Sequence, residues 1–172
     1  MSIHATITQY ARMLNNLDTW LQAAVEYAAE KKFDPEVFTQ ARLAPDQYAL
    51  VQQVQSACDA AKYAAAYLSG QTAPSHPDTE KTVAELRARI AKARDYVAGF
   101  EESDFAGGGE RRVAPAWMQG KSVGGDAYLT RIATPNFYFH VTTAYAILRH
   151  NGVSLGKADF IGVQGWEEIG TW

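Results

Sequence analysis

The side chains best equipped for chemistry lie in one stretch near the C-terminus, where Asn136, His140 and Thr143 recur at spacings of four and three. Such spacing puts an amide, an imidazole and a hydroxyl on successive turns of one helix face. Gln53 borders the apolar stripe of an earlier helix between Leu50 and Ala57, a position from which it can face the same interior from across the protein. Each of these groups costs roughly 1–3 kcal/mol when buried without a partner, so they should satisfy one another or a bound molecule. The chemistry this offers is acid–base work by His140, the candidate catalytic residue, with Gln53, Asn136, Tyr138 and Thr143 as candidate ligand-binding residues. A plainer role stands beside it. His140 would then be a core histidine bonded to Asn136, Gln53 or a carbonyl, and Asn136 would repair the backbone groups that Pro135 frees.

Other reactive residue types carry less. His4, His76 and His150 are scattered, no two histidines are four apart, and all three read as surface or terminal residues. Cys58 falls on the inner face of its helix, where a free thiol acts as a small hydrophobe. Gly107-Gly108-Gly109 lacks the Lys-Ser/Thr of a phosphate loop and reads as a flexible turn, and Glu101-Glu102 and Arg111-Arg112 read as solvated charges. Phe137, Tyr138, Phe139 and Tyr145 surround the last long helix and read mainly as packing, with a dimer seam or the wall of a small pocket as further roles.

The elements that must position these residues follow from periodicity. Ile3, Ile7, Tyr10, Leu14, Leu17, Leu21, Ala24 and Ala28 draw one apolar stripe along a first helix of about seven turns, with Ser2 as its N-cap. Residues 31–45 read as a connection holding one short helical turn. A second helix is expected from Pro45, with Leu50, Val54, Ala57, Ala61, Ala64 and Leu68 inward and Gly70 as its stop. After a linker with two prolines, Asp78 or Thr79 should cap a third helix, which carries Val83, Leu86, Ile90, Ala93 and Val97 and ends at Gly99. The glycine-rich stretch that follows predicts a short hairpin, with strands near Arg111–Ala114 and Lys121–Val123. A fourth helix, from about Asp126 to His150, should be kinked by Pro135. Its stripe reads Leu129, Ile132, Asn136, Phe139, Thr143, Ile147 and His150, with His140 one residue beside it. The fold class is therefore all-α, a four-helix bundle with a short β-hairpin excursion between the third and fourth helices. One domain over 1–172 is expected, with 153–172 as a packed tail, since Val153, Leu155, Phe160, Ile161, Val163, Trp166, Ile169 and Trp172 need cover from the bundle or a second subunit.

The run Pro135-Asn136-Phe137-Tyr138-Phe139-His140-Val141-Thr142-Thr143-Ala144-Tyr145-Ala146-Ile147-Leu148-Arg149-His150-Asn151-Gly152-Val153 is followed by Leu155-Gly156-Lys157-Ala158-Asp159-Phe160-Ile161-Gly162. Together with Asp78-Thr79-Glu80 and Glu85-Leu86-Arg87-Ala88-Arg89-Ile90, it resembles domain-of-unknown-function family nineteen-ninety-three, of the DinB/YfiT-like putative metalloenzyme superfamily. The resemblance spans nearly the whole chain. It implies a DinB-like four-helix bundle in which a divalent metal is held by one histidine of the second helix and a His-x-x-x-His pair of the fourth. The matching positions here are Gln53, Asn136 and His140, so two of the three imidazoles are absent. Neutral amides suit hard cations in carboxylate-rich sites, whereas zinc and nickel favour imidazole or thiolate, and no residue is assigned as a metal ligand.

Composition narrows the partners. The 172 residues are 47% apolar and 20% charged, with a net charge of −3 and no basic stripe, which argues against nucleic acid. No apolar run reaches the ~20 residues of a membrane span. One cysteine and an opening without the layout of a secretory signal fit a cytoplasmic setting. Two functions remain. One is an enzyme-like bundle that binds or transforms a small molecule with His140 as acid or base. The other is a non-catalytic scaffold or ligand-binding protein, expected as a homodimer, whose polar residues fix helix register.

Overall fold

The structure, a computed structural model, describes residues 2–162. Helix α1 runs Ile3–Lys31, with the Ser2 hydroxyl accepting from the Ala5 amide, and it buries the expected stripe from Ile7 onward together with Met13 and Trp20, Ile3 being partly buried. A 3-10 turn over Pro35–Gln40 forms the short element expected in the connection. Helix α2 spans Leu50–Ser69 and starts later than Pro45 suggests. Pro45 lies instead in a turn closed by the Gln47 amide on the Ala44 carbonyl, and the helix begins where the Gln52 side chain accepts from the Ala49 amide.

Helix α3, Val83–Ala98, also starts beyond Asp78 and Thr79. Thr82 and Glu85 form a reciprocal cap, hydroxyl to amide at 3.1 Å and carboxylate to amide at 3.0 Å. Asp78 instead reaches Arg89. Strands β1 (Arg112–Val113) and β2 (Val123–Gly124) pair antiparallel as the predicted hairpin. A Cβ on Gly125 would collide with the Gly108 carbonyl, so the glycines here permit close backbone approach.

The fourth long helix is one run in three parts: α4 (Gly125–Tyr128), a π-helical turn (Leu129–Ala133) and α5 (Thr134–His150). The wide turn immediately precedes Pro135, whose missing amide falls inside the continuous helical run, where such a break goes with a local change in winding. The turn also corrects the predicted stripe. A π turn acts as an inserted residue, so the face buried after it moves on by about one position. Ala133, Phe137, His140, Val141, Ala144, Ile147 and Leu148 are buried, whereas Asn136, Phe139 and His150 are exposed. His140 therefore lies on the inward face itself and Asn136 does not.

Side-chain pairs set the directions. Tyr10 stacks on Phe137 and Trp20 meets Tyr145, so α1 and α5 run parallel. Arg87 meets Asp18 while Arg94 reaches Asn15, so α1 and α3 are antiparallel. Gln53 meets His140 and Tyr67 meets Tyr128, so α2 and α5 are antiparallel as well. Helices α2 and α3 are thus parallel, and residues 70–82 must return along the bundle. That is about 30 Å for a helix of this length, within reach of an extended segment. The result is a four-helix bundle with a contiguous apolar core, finished by α6 (Lys157–Ile161). Phe160 stacks on Trp20, and the indole donates to the Asp159 carbonyl, so the start of the tail packs on its own chain. Val163, Trp166, Ile169 and Trp172, also expected to pack, lie outside the described residues. Among the described residues, no helix is long and apolar enough to cross a membrane.

Candidate functional site

Gln53 and His140 meet across the α2–α5 seam. The His140 Nδ1 to Gln53 Oε1 distance is 2.8 Å, and the Gln53 amide nitrogen donates to the Tyr48 carbonyl at 3.2 Å. That second bond fixes which end of the amide faces the ring. Because an amide oxygen only accepts, Nδ1 carries the proton and Nε2 presents a lone pair. His140 is 9% exposed, and burial holds its pKa below the ordinary imidazole value. The ring is therefore neutral at pH 7, and among the described residues Nε2 has no hydrogen-bond partner.

Beside His140 lies an open cleft of about 430 Å³, within the range of small-molecule sites. Helix α2 contributes Ser56, Asp59 and Tyr63, the turn before it Tyr48, and the segment between the hairpin strands Trp117. The fourth helical run supplies Tyr128, Asn136 and His140, and the returning segment supplies Asp78. Burial raises the Tyr128 phenol well above its ordinary pKa, so it stays protonated.

The other predicted residues divide. Asn136 reaches the cleft from an exposed position at its rim, one turn before His140. Thr143 is buried, but its hydroxyl donates to the Phe139 carbonyl at 2.7 Å, the usual back-bond of a helical threonine, and it does not line the cleft. Tyr138 points to a different side of α5, packing on Tyr10 and Phe137 and lining a separate groove with Ile3, Gln9 and Leu129. The expected meeting of all four with His140 is thus reduced to Gln53 and Asn136. The half-turn difference between positions 138 and 140 accounts for Tyr138.

A charged cluster behind the cleft wall escaped sequence reading. Arg89 and Lys62 are each 1% exposed, and both bond Asp59, at 2.8 and 2.7 Å. Arg89 also reaches Asp78 and Glu80, donates to the His76 and Pro77 carbonyls, and so pins the returning segment to the bundle. Gln55 donates to Glu80. His76, read as a surface residue, has a buried ring nitrogen without a partner, as does the Nε of Arg89. The available signal was two cations on otherwise apolar helix faces, with Asp59 three residues before Lys62 on α2. Arg111, read as solvated, donates to the Leu68 carbonyl near the end of α2.

The metal that the resemblance implies does not fit this donor set. One imidazole and two amides face the position, and the Gln53 oxygen is already engaged by His140 Nδ1. Asp59, the carboxylate on the opposite wall, is engaged by Lys62 and Arg89. Among the described residues, no three His, Cys, Asp or Glu side chains are grouped as metal ligands.

Comparison with known proteins bears on the same residues. The family described as Domain of unknown function (DUF1993) matches residues 3–161. The chain is also similar to a DinB family member protein from Shewanella denitrificans, solved as a crystal structure. The two are 47% identical, the match covers 91% of this chain and 89% of that one, and the TM-score is 0.87. No curated protein matches.

Proposed function

The chain belongs to the DUF1993 family and has a DinB-like fold, and from that premise we propose that it binds a small organic molecule in the cleft between α2 and α5. The observation that carries the reading is the neutral imidazole of His140 in the wall of that cleft, its Nδ1 fixed on Gln53 and its Nε2 without a protein partner. This acceptor at the cleft wall is open to a donor, which the bound molecule supplies. Asn136 at the rim and Ser56 on the wall orient that molecule. If the ligand carries an acidic proton, Nε2 takes it while Gln53 Oε1 holds the Nδ1 proton, the general-base arrangement. No step passes through a metal. The single cysteine supports a reducing cytoplasm as the setting.

The test is a fragment screen on the full chain, followed through the ring nitrogens of His140 by NMR. Saturable shifts at Nε2 that vanish in the binding isotherm of His140→Ala are expected. A screen in which no fragment perturbs His140 would overturn the reading. A second reading is favoured by the Gln53–His140 bond itself: a buried cross-helix bond sets register, as in a scaffold protein, which would act as a homodimer. On that reading His140→Ala changes only melting and mass in solution.

A further inference from the structure

We infer that residues 163–172 turn back along the seam between α1 and the fourth helical run and dock in an apolar groove at the N-terminal end of α1. The groove holds about 640 Å³ and is walled by Ile3, Thr6 and Gln9 of α1 and by Leu129, Thr134 and Tyr138 of the fourth run. Among the described residues that line it, Asp126 alone is charged. Residues 163–172 lie outside the described ones, but their sequence carries Val163, Trp166, Ile169 and Trp172, four large apolar side chains that need cover.

The residues just before them set the course of the chain. The Trp20 indole donates to the Asp159 carbonyl at 3.1 Å. Asn16, one turn earlier on α1, donates to the Phe160 carbonyl at 3.1 Å and lies against Gly162. The backbone at Gly162 therefore heads toward the N-terminus of α1. Phe160 already sits in the α1–α5 seam, stacked on Trp20 and edge-on to Tyr145. Trp20, Asn16, Met13, Gln9, Thr6 and Ser2 recur at four and three, so the groove lies on the same stripe of α1 that carries the start of the tail. At helical rise Gln9 is about 10 Å and Ser2 about 20 Å beyond Asn16. The ten further residues reach about 33 Å when extended, enough to follow the groove from end to end.

Tethering favours this tail over that of a second copy, since a start about 10 Å from the groove gives it an effective concentration there on the order of millimolar. Chemistry matches as well. Gln9 and Thr6 offer acceptors to the indole N–H of a docked tryptophan, whose ring covers Ile3 and Leu129. Glu167 and Glu168 come within reach of Arg12, which is exposed on α1 between Asn16 and Gln9, and need bring no charge up to Asp126. Docking also backs the π-helical turn, whose Leu129 lines the groove while its Ile132 and Ala133 line the α2–α5 cleft.

The experiment places a nitroxide on Thr171→Cys in the full chain, where buried Cys58 stays unlabelled, and reads paramagnetic broadening by NMR. Loss of the Thr6, Gln9 and Leu129 amide signals is expected, with Lys31 at the far end of α1 unaffected. A mixture of nitroxide-bearing chain with isotope-labelled chain that carries no nitroxide should show no broadening. Broadening confined to the mixture would overturn the inference and give the groove to a second copy, and broadening in neither sample would overturn it outright. Thr6→Arg, a partly exposed position, puts a charge into the groove and should restore the Leu129 signal and shift the indole N–H resonances of Trp166 and Trp172, while those of His140 stay in place. Unchanged broadening and unchanged indole resonances in Thr6→Arg would also overturn the docking site.

Discussion

His140 donates through Nδ1 to Gln53 Oε1 at 2.8 Å, and this bond decides the character of the cleft, because it leaves the other ring nitrogen as an acceptor. Replacing Gln53 by Leu removes that acceptor from a buried N–H. The expected loss of stability is about 1–3 kcal/mol, read from denaturant unfolding. The ring also becomes free to exchange tautomers, so its two nitrogen resonances should lose their fixed assignment. An unchanged NMR pattern in Gln53→Leu would mean that the bond does not hold in solution.

The same burial makes stability fall with acid. His140 and His76 both have pKa values below the ordinary 6.5, His140 through burial and His76 through burial first and then nearby Lys62 and Arg89. The unfolded chain takes up these protons near 6.5 while the folded chain resists them. The stabilisation is therefore complete above that pH and is lost as pH drops through the folded values. Melting temperature should decline below about pH 6.5. The decline should be shallower in His140→Gln.

Arg89 is the pin of the returning segment. Substituting it with Met leaves Asp59 with Lys62 alone and strips the donors from Glu80, Asp78 and the His76 and Pro77 carbonyls. Removing one partner of such a buried pair costs about 3–5 kcal/mol. Hydrogen exchange over residues 71–82 should rise more than elsewhere, since those residues lose their tie to the helices.

Cys58 is fully buried, and burial pushes its thiol up to about 12. The thiolate that alkylating reagents need is essentially absent at neutral pH. Labelling should therefore track global unfolding as denaturant is added. Rapid labelling of the native chain would show that α2 opens locally.

Most helices were legible because their apolar residues recur at three and four, and their ends carry recognisable caps at Ser2, Gly70 and Gly99. The starts of α2 and α3 were less so. Pro45 and Asp78 are both good helix-start residues, and both were claimed by other contacts, a turn in one case and Arg89 in the other. The fourth helix was found, but its facing was not. Periodicity assumes one uniform twist, and the wide turn at Leu129–Ala133 breaks that assumption just before the residues of interest. His140 and Gln53 were nevertheless paired, because a polar group in an apolar stripe needs a partner. Arg89, Lys62 and Asp59 went unread because their partners lie in a segment whose path no spacing rule describes.

The parallel course of α2 and α3 has a bearing on how the molecule assembles. Helices α2 and α3 cannot zip together as a hairpin, and the most extensive antiparallel pairings, α1 with α3 and α2 with α5, join helices that are not consecutive in the chain. Closing these non-local pairs makes folding slower than in an up-and-down bundle of equal size. Docking of α5 onto α2 joins residues 87 positions apart, and it is the event that creates the cleft. A nascent chain therefore has no trace of the recognition chemistry until nearly all of it has been synthesised.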